Sequence, residues 1–166
     1  MADDPPIEMG VQAEGLHALL GAIRAEADGK TLRKELARDL RDALKPAVAQ
    51  ARSGIMAMSS TGQTSPALRS QIARRIRPEI KLGGRWTGAR VKARKTINVR
   101  RFPNAPKRTQ SSKGWRTDTF GRDVWRVQHG RVEWFDRAMA GDEAKYRAAC
   151  QRALERMAAR IAARAR

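Results

Sequence analysis

Apolar residues recur at helical spacing at both ends of the chain and alternate with charges in its middle. Leu16, Leu19, Leu20 and Ile23 share one face of a helix expected from Val11 to about Ala27, which Asp28-Gly29 ends. A longer helix is expected from about Thr31 to Met58. Leu32, Leu36, Leu40, Ala43, Leu44, Ala47, Val48, Ala51, Ile55 and Met58 form its apolar stripe, and Thr31 suits its N-cap. Pro46 lies inside it. The ring removes the hydrogen bond to the Asp42 carbonyl and crowds it, so a kink is expected.

After the polar stretch SSTGQTS, Pro66 suits the first turn of a short helix to Arg77, with Leu68, Ile72 and Ile76 on one side. The period then changes to two. Ile80 and Leu82 alternate with charges, Gly83-Gly84 allows a turn, and Val91, Ala93, Ile97 and Val99 alternate with Arg90, Lys92, Arg94 and Asn98. The segment Arg100–Lys113, with two prolines and five basic residues, predicts an exposed basic loop at about 100–114. A further strand is predicted from Arg122 to His129. In the last helix Asp142 suits the cap, and Tyr146, Cys150, Ala153, Leu154, Met157 and Ile161 form the stripe. The expected fold class is α+β: a long kinked N-terminal helix, a small antiparallel sheet from about 78–99 and 122–129, and a C-terminal helix packed on the sheet. Residues 1–10, with Pro5 and Pro6, read as a flexible acidic leader, and 11–166 as a single domain.

The segment Lys113 to Ala138 concentrates the aromatics. It holds three of the four tryptophans together with Phe120 and Phe135. Side chains that bury this much area mark a packing unit, so Trp125, Trp134 and Phe135 are the core candidates. Trp86, in the Gly-rich turn GGRWTG, is the tryptophan expected at an interface.

Charge changes the picture most. The chain carries 35 Lys/Arg against 17 Asp/Glu, a net +18. Residues 1–50 hold seven basic and nine acidic side chains, net −2, so residues 51–166 hold +20. Such asymmetry points to an acidic partner, nucleic acid, or anionic lipid. Arg152, Arg156, Arg160 and Arg164 recur every fourth residue as a single stripe. A stripe of this kind is a solvated face, or it meets phosphate or the acidic surface of a neighbour. Arg100, Arg101, Lys107, Arg108 and Lys113 add a basic loop that reaches for the same partners.

Constellations for catalysis are poor. The only histidines are His17, on a helix where packing is expected, and His129, beside Gly130 at a strand end. Asp118 and Asp123 are flanked by Arg116, Arg122 and Arg126, which favours local salt bridges over a metal. Gly83-Gly84 lacks the Lys-Ser/Thr of a phosphate loop. The single cysteine, Cys150, allows no internal disulfide and sits on a helical apolar stripe, where a buried hydrophobe is expected. No cofactor, metal or enzymatic role is expected. No window approaches the 18 apolar residues of a membrane span, and the N-terminus has no signal-peptide pattern.

Four blocks, in order, resemble the neck and tail-completion proteins of long-tailed bacteriophages, the superfamily of the lambda minor tail protein Z. They are GLHALLGAIR; LRKELARDLRDALKPAVAQAR; LRSQIARRIR with the basic strand GARVKAR; and KGWRTDTFGRDVWRVQ with WFDRA and an Ala/Arg helix. The sharpest is the W-R-x-x-x-F-G-x-x-x-W segment, Trp115 to Trp125, in which Thr117-Asp118-Thr119 stands where relatives carry His-Pro. The resemblance implies a structural protein of the head–tail junction, without catalytic residues. It would join the tail to the DNA-filled head as a hexameric or dodecameric ring around the DNA channel. It further implies other neck, portal-side and tail-tube proteins as partners, channel DNA as a non-specific electrostatic contact, no membrane, and a place in the virion after assembly in the host cytoplasm. A free basic nucleic-acid-binding protein is the alternative, and a nuclease ranks last.

Overall fold

The structure, a computed structural model, describes residues 8–11, 15–59, 68–97, 102–119 and 122–164. The elements run in the order β1 (Glu8–Val11), α1 (Leu16–Ala25), α2 (Gly29–Met56), α3 (Leu68–Arg75), β2 (Ile76–Lys81), β3 (Gly88–Ala93), α4 (Ala105–Gln110), β4 (Trp115–Thr119), β5 (Arg122–Gln128), α5 (Trp134–Ala140) and α6 (Glu143–Arg164). The class is α+β, as the change of period predicts. α2 runs through Pro46. The expected leader residues 1–7, the polar stretch 60–67, and Arg100 and Arg101 lie outside the described residues.

The chain divides into two compact units. Met1–Glu8, Ala49–Arg77 and Lys92–Gly141 form one; Met9–Val48, Pro78–Val91 and Asp142–Arg166 form the other. Hydrophobic periodicity identifies faces but carries no information about which faces share a core.

In the second unit the expected stripes are buried. Leu16, Leu19, Leu20 and Ile23 of α1, Leu32, Leu36, Leu40 and Leu44 of α2, and Tyr146, Cys150, Ala153, Leu154 and Met157 of α6 form its interior. α6 runs beside α1. It is also tied to the start of α2 by ion pairs of Arg160 with Glu35 and of Arg164 with Asp28.

In the first unit two arginines cap each other's helices. Arg52 on α2 donates from Nε to the Ala73 carbonyl and from Nη2 to that of Ile76, both at 3.1 Å. Arg69 on α3 donates to the carbonyls of Met56 and Met58 at 3.2 and 3.1 Å. The last carbonyls of a helix have no partner within it, and a guanidinium at the negative end of the dipole satisfies them favourably. Ile55, Ile72, Ile76, Ala105, Trp134, Phe135 and Met139 are buried in this unit.

The strands form two sheets. One has three strands in the order β1-β3-β2, the other is the antiparallel β4-β5 ribbon. The segment 122–129, expected to pair with the strands at 78–99, pairs instead with β4, two residues upstream in sequence. Closing so short a connection loses far less chain entropy than pairing across some thirty residues. Residues 8–10, expected in a flexible leader, belong to β1 at the edge beside β3; Met9 is buried and Glu8 lies 3.6 Å from Lys92. Four residues are too few to display a period, and an open strand edge recruits backbone groups whatever side chains they carry.

Candidate interaction surfaces

The segment read as an exposed loop at 100–114 contains α4, and α4 is part of the core. Ala105, Pro106 and Thr109 are buried. The Thr109 hydroxyl lies 2.8 Å from the Ala105 carbonyl and 3.0 Å from that of Pro106, and it accepts the Trp134 indole N–H at 3.2 Å. Gln110 bridges to α5: its Oε1 accepts the Phe135 N–H at 2.9 Å and its Nε2 donates to Asp136 at 3.0 Å. Two prolines at such spacing suggested a loop, but proline is well tolerated in the first turn of a helix, where Pro106 stands. The segment is thus a structural wedge. Of the loop's basic candidates, Arg108 and Lys113 are exposed and Lys107 is half-buried.

Trp134 and Phe135 are core residues as expected, each 1% exposed, with rings edge-to-face at 5.6 Å and 85°. Trp125 is not. It is 55% exposed, as is Val127, and Val124 is 50% exposed. The ribbon rises from two close contacts. Gly114 has φ 64, and a Cβ there would strike the Gln128 carbonyl oxygen; a Cβ at Gly130 would strike that of Thr109. Trp115 at the ribbon's base packs on Phe102 at 5.6 Å.

Register sorts the ribbon's side chains. Val127 pairs with Arg116 and Trp125 with Asp118, so Arg116, Trp125 and Val127 share one face, and a register shift between Asp118 and Thr119 breaks the alternation beyond Trp125. All three are exposed. Trp115, Thr117, Arg126 and Gln128 share the other, on which Trp115 and Thr117 are partly covered. The alternation of Trp125 with Val127 therefore signalled a shared face, while no described residue buries that face. The Arg116 guanidinium lies 6.0 Å from the Trp125 ring centroid. Arg116 joins the surface only through the register, which sequence spacing does not reveal.

In the second unit Trp86 is half-buried rather than an open platform. Arg90 lies 4.1 Å over its ring and Lys81 6.0 Å away, and Arg90 is held at 2.6 Å by Glu79. A guanidinium on the indole face uses the π surface that a base would need. The arginine stripe of α6 divides. Arg160 and Arg164 are engaged by Glu35 and Asp28, the latter through both carboxylate oxygens at 2.8 and 3.0 Å. The hydrogen bond from Arg164 holds the Asp28 carboxyl below its ordinary range. Arg152 and Arg156 are exposed, with no ion-pair partner among the described residues. His17, expected to pack, is exposed, because its position falls outside the arc set by Leu16, Leu19, Leu20 and Ile23.

Acidic groups are widely used within the chain. Glu8, Asp28, Glu35, Asp42, Glu79, Glu133 and Glu143 each meet a Lys or Arg. Caps such as Arg52, Arg69, Arg75 on Lys95 and Arg131 on Gly54 fix guanidinium groups on carbonyls without cancelling their charge. Among the described residues no group of three or more His, Cys, Asp or Glu is placed to hold a metal, and no helix is long and apolar enough to cross a membrane. Comparison with family models, with curated proteins and with solved structures finds no match.

Proposed function

We propose that this chain is a structural protein of the bacteriophage head–tail junction, acting as one copy in a ring around the DNA channel. The observation that carries the reading is the surplus cation charge. Even if all 17 acidic groups were paired within the chain, 18 of the 35 Lys and Arg would remain unneutralised. Seven of those acids are already engaged internally, so the surface meets its surroundings as a polycation, with Arg152, Arg156, Arg108 and Lys113 among its exposed members. A polycation of this density calls for an anionic neighbour. The four sequence blocks that resemble neck and tail-completion proteins supply the place where such a neighbour stands, either channel DNA or the acidic surface of an adjoining ring. A channel through which DNA must pass gains nothing from tight phosphate contacts, which favours the protein surface.

The test is composition and phenotype. Mass spectrometry of purified particles should find the chain in stoichiometric, multi-copy amount, and a nonsense mutant should accumulate filled heads beside unjoined tails. Absence from particles, together with salt-sensitive binding to bulk nucleic acid in the cell, would replace this reading by that of a free nucleic-acid-binding protein.

A further inference from the structure

We propose that the first unit carries a binding site for the phosphate backbone of nucleic acid, with Arg74, Arg77, Lys95 and Arg108 as its contacts. The site lies where the end of α3, the residues after β3, and α4 come together. The inference goes beyond the head–tail reading and does not rest on it.

The sequence isolates this region by what it lacks. Residues 49–77 hold five Arg and residues 92–117 hold nine Lys or Arg, and neither stretch holds an Asp or Glu. Both stretches belong to the same compact unit. The fold brings their cations side by side. The Arg94 N–H donates to the Arg75 carbonyl at 3.1 Å, and the Arg75 Nε donates to the Lys95 carbonyl at 3.0 Å, so the end of α3 lies against residues 94–95. Next along the chain, the Thr96 N–H donates to the Pro103 carbonyl at 2.9 Å and its hydroxyl donates to that of Phe102 at 2.7 Å. Those residues lead into α4, which runs beside α3 and carries Arg108. Arg74, Arg77, Lys95 and Arg108 are exposed, and none has an ion-pair partner among the described residues. Arg75, held on the Lys95 carbonyl, adds a fixed charge beside them.

Cations grouped without acids repel one another, and a row of anionic groups relieves that repulsion. The make-up of the patch selects phosphate over the carboxylates of a protein. Protein–protein interfaces are built on a core depleted of charge and rich in apolar side chains. Ile97, 69% exposed beside Thr96, is a single apolar side chain and makes no such core. Protein–DNA interfaces are more polar and far more positive, and guanidinium forks match phosphate oxygens through paired hydrogen bonds. Backbone contacts of this kind position a nucleic acid without reading its sequence. A handful of them hold it weakly at physiological salt and let it slide, so the patch does not arrest DNA that must pass over it.

The experiment is fluorescence anisotropy of a short labelled DNA duplex of random sequence, titrated with the full chain between about 50 and 200 mM salt. Four phosphate contacts give log Kd a slope of about 3.6 against log salt, which is about 150-fold weaker binding across that range. The variant Arg74→Gln/Arg77→Gln/Lys95→Gln/Arg108→Gln should lose most of that slope with unchanged circular dichroism. A control that removes four charges elsewhere, Lys34→Gln/Lys145→Gln/Arg152→Gln/Arg156→Gln, should keep the wild-type slope to within about one, because screening confines each charge to its own neighbourhood. The half variants Arg74→Gln/Arg77→Gln and Lys95→Gln/Arg108→Gln should each lower the slope by about 1.8, which preserves the test if the fourfold variant does not fold. Equal losses in the patch and control variants would reduce the binding to net charge and overturn the proposal. A patch variant that binds like the wild type would overturn it too. So would a wild type that ignores the duplex and binds poly-glutamate, which would make an acidic protein the occupant.

Discussion

Replacing Trp134 by alanine, with Trp125→Ala as its companion, tests the division between packed and displayed aromatics. Trp134 is 1% exposed, meets Phe135 edge-to-face at 5.6 Å, and donates its indole N–H to Thr109 at 3.2 Å. An indole of this burial removes roughly 200 Å² from water, worth about 5 kcal/mol at about 25 cal/mol per Å². Alanine retains a small part of that. The edge-to-face contact adds on the order of 1 kcal/mol and the hydrogen bond about as much, and partial collapse of the cavity recovers some of the loss. The net cost is about 4 kcal/mol, a fall in melting temperature of about 10 °C. Thr109→Val separates packing from hydrogen bonding: it keeps the volume but leaves the buried indole N–H without its acceptor, at about 1–3 kcal/mol. Trp125→Ala, at a site already 55% exposed, should cost at most about 1 kcal/mol. Thermal and urea unfolding measures all three. A Trp134→Ala protein that melts with the wild type, or a Trp125→Ala protein that loses as much as Trp134→Ala, would refute the assignment of core and surface.

Two further outcomes follow from the same geometry. Gly54→Ala, which in an open helix would stabilise, should destabilise by about 1–3 kcal/mol, because the new Cβ would stand 2.9 Å from the Trp134 carbonyl oxygen and 3.1 Å from the Ala138 Cβ; a raised urea midpoint would show that α5 gives way. Burial pushes the Cys150 thiol up to about 11 from an ordinary 9, so it should resist thiol reagents at pH 8 until the chain unfolds. Because the folded value is the higher one, its contribution to stability is complete below pH 9 and is lost as pH rises towards about 11. Fast labelling of the native protein, or no difference from Cys150→Ala in the alkaline stability profile, would place that side chain in solvent.

What the sequence determined by itself is the periodicity and the charge. The stripes of α1, α2 and α6 are buried where spacing puts them, because a helix with a continuous apolar face has one way to remove it from water. Trp134 and Phe135 were legible as core from the large area their rings can bury, although the same argument placed the exposed Trp125 beside them. The cationic surplus is fixed by composition and survives any pairing. What the tertiary structure decided is which faces meet. Alternation placed Trp125 with Val127 but could not say that both would stand more than half exposed; an identical pattern on a covered strand reads the same. It could not show that α4 forms from a proline-rich stretch, because that helix is held by Thr109 under Trp134 and by Gln110 on α5, partners about 25 residues away in sequence. Nor could it separate Arg160 and Arg164, engaged by Glu35 and Asp28, from Arg152 and Arg156 on the same stripe. Ion pairs that span 125 and 136 residues exist only once the chain has folded. Local spacing governs the faces an element presents, and long-range closure selects which of them water keeps.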